Sequence, residues 1–208
     1  MILPNNRSAR DHSSFIYKAL LELLSSGLVI QVIDVPFVVN PLSVSIQPSR
    51  KKRLLLDLRH VNKCLKKYCF KYKDWRVALS YFEKDAYMFS FDLRSGYHHI
   101  EIPSEHQTFL GFSWEFHQAE GFQYFVFSVS PFGLSTVPYI FNKCVRPLQK
   151  YWRLQGVKIA ICLEDGLVIE NDYGVCKTLS SRSKEDLRRV GFVANAEKSI
   201  WDPVQSIV

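Results

Sequence analysis

Two short apolar runs in this chain end in carboxylates: Met88-Phe89-Ser90-Phe91-Asp92-Leu93 and Ile159-Ala160-Ile161-Cys162-Leu163-Glu164-Asp165. Runs of this length and composition fit buried strands. A carboxylate at the tip of a buried strand is costly unless something cationic compensates it. Two such tips brought together would make a cage for hard divalent cations, the geometry that phosphoryl and nucleotidyl transfer requires.

The 208 residues suit one large domain or a domain with a subdomain, and 47% hydrophobic residues suffice for a substantial core. No apolar run reaches the length of a membrane span; the nearest, residues 28–46, is interrupted by Asp34, Pro36 and Pro41. No secretory leader pattern is visible, so an intracellular location without a membrane partner is expected. Five cysteines, at 64, 69, 144, 162 and 176, form no Cys-x-x-Cys pair and fit a reduced thiol set better than disulfides or zinc. Residues 50–73 hold ten Lys/Arg against one Asp, whereas the rest of the chain holds 17 against 19 Asp/Glu. Such a run can be a solvated face. It can also be a phosphate-binding surface, because clustered Lys/Arg supply most of the sequence-independent affinity for nucleic acid.

Residues 1–12 are polar and expected to be a flexible N-terminus. Ser13 or Ser14 can cap a helix with Phe15, Ile16, Ala19, Leu20, Leu23 and Leu24 on one face and Gly27 at its end. Residues 28–48 read as short extended segments broken by prolines, and residues 53–58 as a strand. Residues 75–84 are helix-like, and residues 85–93 turn into a strand ending at Asp92. Residues 97–102 read as extended, which would put His98 and His99 on opposite sides. Alternation over 108–116 and 121–128 suits a hairpin. A helix is expected from Thr136 or Val137 to about Arg153, and another over 183–190. Residues 157–162 and 167–170 flank a Glu164-Asp165-Gly166 turn. Helices and hairpins alternate irregularly, which reads as an α+β fold.

Taken alone, Asp-Gly is a common hairpin turn, and Asp92 could simply cap the turn after its strand. The order of motifs is more specific. Phe91-Asp92-Leu93-Arg94-Ser95-Gly96-Tyr97-His98, then Ser130-Pro131-Phe132-Gly133-Leu134-Ser135, then Leu163-Glu164-Asp165-Gly166 resemble the ordered palm motifs of reverse transcriptases. The resemblance extends upstream to residues 39–44 and 53–62, downstream to 191–199, and covers residues 20–205. Arg59-His60-Val61-Asn62-Lys63, Ser95-Gly96-Tyr97-His98-His99 and Phe109-Leu110-Gly111-Phe112-Ser113-Trp114 are similar to retrotransposons of the DIRS/Ngaro type.

The resemblance implies reverse-transcriptase-like fingers over 13–86 and a palm with finger insertions over 87–208, built on an antiparallel sheet with packed helices, with the thumb absent. It implies an RNA-directed DNA polymerase that uses two Mg²⁺ ions, with Mn²⁺ able to serve. Asp92 would bind both metals, Asp165 the shared one, and the Leu93 carbonyl would complete one coordination shell. Tyr97 would discriminate against ribonucleotides by bulk. Arg53, with Lys51 or Lys52, would hold the incoming dNTP, whose sugar and base would lie beside Phe132 and Gly133. Lys198 would protonate the leaving pyrophosphate. Expected partners are an RNA or DNA template-primer and the rest of a retroelement polyprotein: thumb, RNase H and recombinase.

The family pattern at the hairpin is aromatic-x-Asp-Asp, and Cys162-Leu163-Glu164-Asp165 departs from it. Glu164 stands where a metal-binding Asp is expected and is one methylene longer. A misplacement of that size can cost on the order of 10²-fold in rate. A catalytically impaired remnant that at most binds nucleic acid is therefore the alternative. A two-metal nuclease on another fold would explain the carboxylates but not Tyr97 or residues 131–135.

Overall fold

The computed structural model describes residues 1–68, 75–116 and 121–206, so residues 69–73 of the basic run lie outside the described residues. The elements begin with α1 (Arg7–Asp11), α2 (Ser13–Ser25), β1 (Val29–Val32), β2 (Leu42–Ile46), β3 (Lys52–Leu56), α3 (Arg59–Cys64), α4 (Trp75–Leu79) and β4 (Tyr87–Asp92). A 3₁₀ turn (Gly96–His99) follows, then α5 (Ser104–Gln107), β5 (Gly111–Trp114), β6 (Gln123–Phe127), α6 (Val137–Leu154), β7 (Ile159–Cys162), β8 (Asp165–Glu170), α7 (Tyr173–Arg189) and β9 (Ile200–Val204). They form two compact units, Met1–Lys67 with Ile100–Val137, and Tyr68–His99 with Pro138–Val208.

In the first unit, β1, β6 and β5 make an antiparallel sheet, with Val29 opposite Phe127 and Gly111 opposite Val126. The expected hairpin over 108–128 is the β5–β6 pair. Phe112 stacks on Phe125 at 5.3 Å, and the apolar face of α2 buries Ile16 and Leu20 completely. β2 and β3 form a separate ladder, with Leu42 opposite Leu56 and Ile46 opposite Lys52. Residues 1–12, polar in composition, nonetheless carry backbone hydrogen bonds: the Leu3 N–H donates to the Val39 carbonyl and the Asn6 N–H to that of Leu42.

The second unit is organised around one antiparallel sheet of order β7-β8-β4-β9. β4 is central in the sheet, and its side chains Phe89 and Phe91 lie buried on one face. Trp201 of β9 stacks on Phe89 and Phe91, and Trp152 of α6 meets Phe91 edge-on. The buried Trp152 indole N–H donates to Asp186 of α7 at 2.8 Å, which satisfies its one donor. α6 spans the helix expected from the sequence. α7 begins at Tyr173, well before the expected Ser183. Asp172 caps it by accepting from the Val175 N–H at 2.8 Å. In its first half Cys176 and Ser180 are buried on the packed face. The Cys176 thiol there is pushed up to about 11, chiefly by burial. Among the described residues, no helix is long and apolar enough to cross a membrane.

Candidate active site

Asp92 is the last residue of β4, and its strand partner is Asp165, the first residue of β8. Cys162 pairs with Asp165, so the β7–β8 turn is Leu163-Glu164 and not the expected Asp-Gly turn. Leu163 takes the positive φ of 55° that a tight turn of the II′ sense requires at its first position. Gly166 lies within β8 for a packing reason, since a Cβ there would meet the Phe91 ring at 2.1 Å. The end of β4 is held by backbone bonds from both sides. The Leu93 N–H donates to the Glu164 carbonyl at 2.8 Å, and the Asn195 N–H to the Asp92 carbonyl at 2.7 Å. The Asp92 N–H in turn donates to the Ser199 hydroxyl at 3.1 Å.

This register places three carboxylates at one end of the sheet with one ammonium among them. Lys198 Nζ donates to Asp92 Oδ2 at 3.0 Å, and the Asp92 side chain is only 14% exposed. Glu164 is half-buried, with its Cγ against Gly96, and its Oε1 is buried without a hydrogen-bond partner. Burial, then the charges of Asp92 and Asp165, push its carboxyl above the ordinary carboxylate range, while Lys198 and the Gly96 N–H oppose them. Asp165 is raised by burial and then by Asp92, again against Lys198. Among the described residues, no three His, Cys, Asp or Glu side chains already stand in a metal-holding cluster. The donor set nevertheless fits a hard divalent cation. Its ligands are carboxylate oxygens, Lys198 already presents positive charge to Asp92, and a cation would relieve the repulsion that raises Glu164 and Asp165.

Tyr97 lies on the 3₁₀ turn, its ring edge-on to Phe141 with centroids 5.5 Å apart. The extended reading of this segment does not hold, and the two histidines sit on the same turn. His99 Nδ1 lies 3.2 Å from the Gly96 carbonyl, and its Nε2 accepts the Val193 N–H at 3.2 Å. A neutral ring protonated on Nδ1 satisfies both contacts. Burial lowers the His98 pKa. His99, Asn195 and Ser199 thus hold the loops around Asp92, a role sequence reasoning missed. The His99 and Ser199 side chains and the Asn195 N–H each bond backbone far away in the chain, which leaves no local pattern.

The remaining candidates belong to the first unit. Lys51 is exposed on the β2–β3 loop and Arg53 is exposed on β3, while Lys52 Nζ lies 3.3 Å from His12 Nδ1. Phe132 is 40% exposed, and Gly133 has φ +99°, which a side chain rarely adopts. Asn62 clamps this turn. Its amide donates to the Gly133 carbonyl at 2.8 Å and its Oδ1 accepts the Ser135 N–H at 2.9 Å. The sequence marks Asn62 only as a motif member.

The family model described as reverse transcriptase (RNA-dependent DNA polymerase) matches residues 46–201. The foamy viral protease-reverse transcriptase in complex with double-stranded DNA superposes with TM-score 0.78 at 21% identity, over 96% of this chain and 32% of that one. The native prototype foamy virus protease-reverse transcriptase gives 0.75 at 20%, over 96% and 25%. The foamy viral enzyme with an RNA/DNA hybrid gives 0.77 at 21%, over 96% and 25%. The chain thus spans about a third or less of the length of these structures. No curated protein matches it. At these identities the likeness establishes the fold, mixed α and β on antiparallel sheets.

Proposed function

The chain belongs to the reverse transcriptase (RNA-dependent DNA polymerase) family, and from that premise we propose that it is the fingers-and-palm region of a retrotransposon polymerase, adding dNTPs to a primer 3′-hydroxyl. Its motifs favour the DIRS/Ngaro type, with fingers over 13–86 and a palm with finger insertions over 87–208. The observation that carries this reading is Asp92 in register with Asp165, with Glu164 on the adjoining turn. Asp92, the Leu93 carbonyl, Glu164 and Asp165 would hold Mg²⁺ or Mn²⁺, which when bound stabilises the attacking hydroxyl and the leaving pyrophosphate as a Lewis acid.

The other roles belong to the chain's own groups. Lys198 is 64% exposed at its side chain, which leaves Nζ able to carry a proton to a leaving pyrophosphate. Tyr97, braced by Phe141, supplies bulk against a ribose 2′-hydroxyl. Arg53 binds triphosphate oxygens with its planar fork, and Lys51 or Lys52 adds a point charge. Gly133 lets backbone approach the sugar beside Phe132. The template-primer is RNA or DNA, and a thumb, RNase H and recombinase from the same polyprotein are the proposed partners.

One observation favours a second reading, a catalytically impaired protein that binds nucleic acid. The longer Glu164 is drawn back against Gly96, with Oε1 buried. Primer extension on an RNA template with Mg²⁺ or Mn²⁺ separates the two. The polymerase reading expects incorporation by the wild type and only background from Asp92→Ala. Equal incorporation by both proteins overturns it. Salt-sensitive duplex binding without incorporation selects the second reading.

A further inference from the structure

The second unit carries a cationic stripe that the site above does not use. The 18 residues of α6 include Lys143, Arg146, Lys150 and Arg153 and no Asp or Glu. Spaced i, i+3, i+7 and i+10, at 3.6 residues per turn, they fall within an arc of about 80°. The opposite face holds the buried Phe141, Val145 and Trp152. Arg146, Gln149, Lys150, Arg153 and Leu154 line a groove of about 480 Å³. Arg153 is fixed along it by donating to the Ile159 carbonyl, and Lys143 lies over the Tyr139 ring at 5.4 Å. Arg146 and Lys150 are exposed, and among the described residues neither has an ion-pair partner.

Simple solvation does not account for this face. Like charges at i, i+4, as in Arg146 and Lys150, destabilise a helix, and α6 has no acid to offset them. The other long helix, α7, pairs its cations: Arg182 with Asp186 at 3.8 Å, and Arg188 and Arg189 with Glu185 at 2.8 and 3.1 Å.

We infer that this face of α6 binds the phosphate backbone of a nucleic-acid duplex, in addition to the basic run of residues 50–73. The inference rests on the nucleic-acid-binding reading above and names a surface which that reading does not. The stripe is about 15 Å long at 1.5 Å per residue. Duplex strands place a phosphate every 3.4 Å or so along the axis, so it can follow about four of them. An acidic protein fits less well, because specific protein interfaces need an aromatic centre, and among the described residues no aromatic side chain lines the groove.

The test is the affinity of the full chain for a labelled DNA duplex as a function of salt. Each lost phosphate contact flattens the slope of log K against log salt by about 0.9. Arg146→Gln with Lys150→Gln should weaken binding at low salt and flatten the slope by about two. The charge-keeping pair Arg146→Lys with Lys150→Arg, and the α7 pair Arg188→Gln with Arg189→Gln, should keep the wild-type slope. Should the double variant melt early, Lys150→Gln alone reports a flattening of about one. A wild-type slope in a folded α6 variant, or α6-dependent binding of polyglutamate with none of duplex, overturns the inference. Absence of duplex binding by the wild type refutes the nucleic-acid reading itself, whereas steep binding indifferent to α6 refutes only this surface.

Discussion

Two antiparallel hairpins of this protein carry charge at their tips, with opposite sign and opposite surroundings. The β2–β3 loop presents Arg50 and Lys51 to solvent. The β7–β8 turn holds Glu164 and Asp165 partly desolvated, with Asp92 directly across from Asp165. Cations that are spread out and solvated can meet phosphates without rearranging the fold. Carboxylates that strand register forces together repel one another, and the repulsion favours any added cation. The first arrangement suits binding and the second suits chemistry.

The comparison breaks most visibly at Asp92. Asp92→Asn should lower single-turnover primer extension by at least about 10²-fold while leaving the melting temperature near that of wild type. Retained extension would remove the chemical role of the carboxylate end. Glu164→Asp restores the family residue and should raise the rate by up to about 10²-fold. A slower variant would show that the longer side chain is the fitted one. Gly166→Ala forces a methyl into the Phe91 ring and should destabilise the fold by about 1–3 kcal/mol in urea denaturation. Asn62→Ala, in the first unit, leaves the Gly133 carbonyl and the Ser135 N–H without their clamp, and should cost about 1 kcal/mol by the same measurement.

The smallest effect concerns pH. Glu164 and Asp165 have folded pKa values above their ordinary 4.5 and 3.8. On raising the pH through this range, the unfolded chain releases these protons first, so the folded state binds more of them and stability falls. The fall begins at the ordinary carboxylate pKa values and is complete above the raised ones. Thermal melts should show it, and Glu164→Gln should remove part of it.

Much of the site was legible because it is written in short-range patterns. The run that ends at Asp92 and the apolar strand before Leu163 each follow from local composition. The turn was misread because Asp165-Gly166 is a stronger turn signal than Leu163-Glu164, while the ring of Phe91, distant in sequence, dictates the glycine. The first half of α7 was hidden because its packed face is made by small side chains, Cys176 and Ser180, which carry little apolar periodicity. The Lys198–Asp92 ion pair joins residues 106 apart in the chain, which no local pattern specifies. His98 and His99 lie on a 3₁₀ turn whose His99 ring reaches the Gly96 carbonyl and accepts from the Val193 N–H, the second a contact that exists only in the folded unit.

The most direct measurement is Mn²⁺ binding at neutral pH, followed by electron paramagnetic resonance. If the β7–β8 end is the cation site, the wild type binds Mn²⁺ saturably. Asp92→Asn and Asp165→Asn each then weaken binding at least about tenfold, a loss of about 1.4 kcal/mol, and Lys51→Gln with Lys52→Gln leaves it unchanged. Mn²⁺ affinity unaltered by Asp92→Asn, or no saturable binding by the wild type, would contradict the assignment.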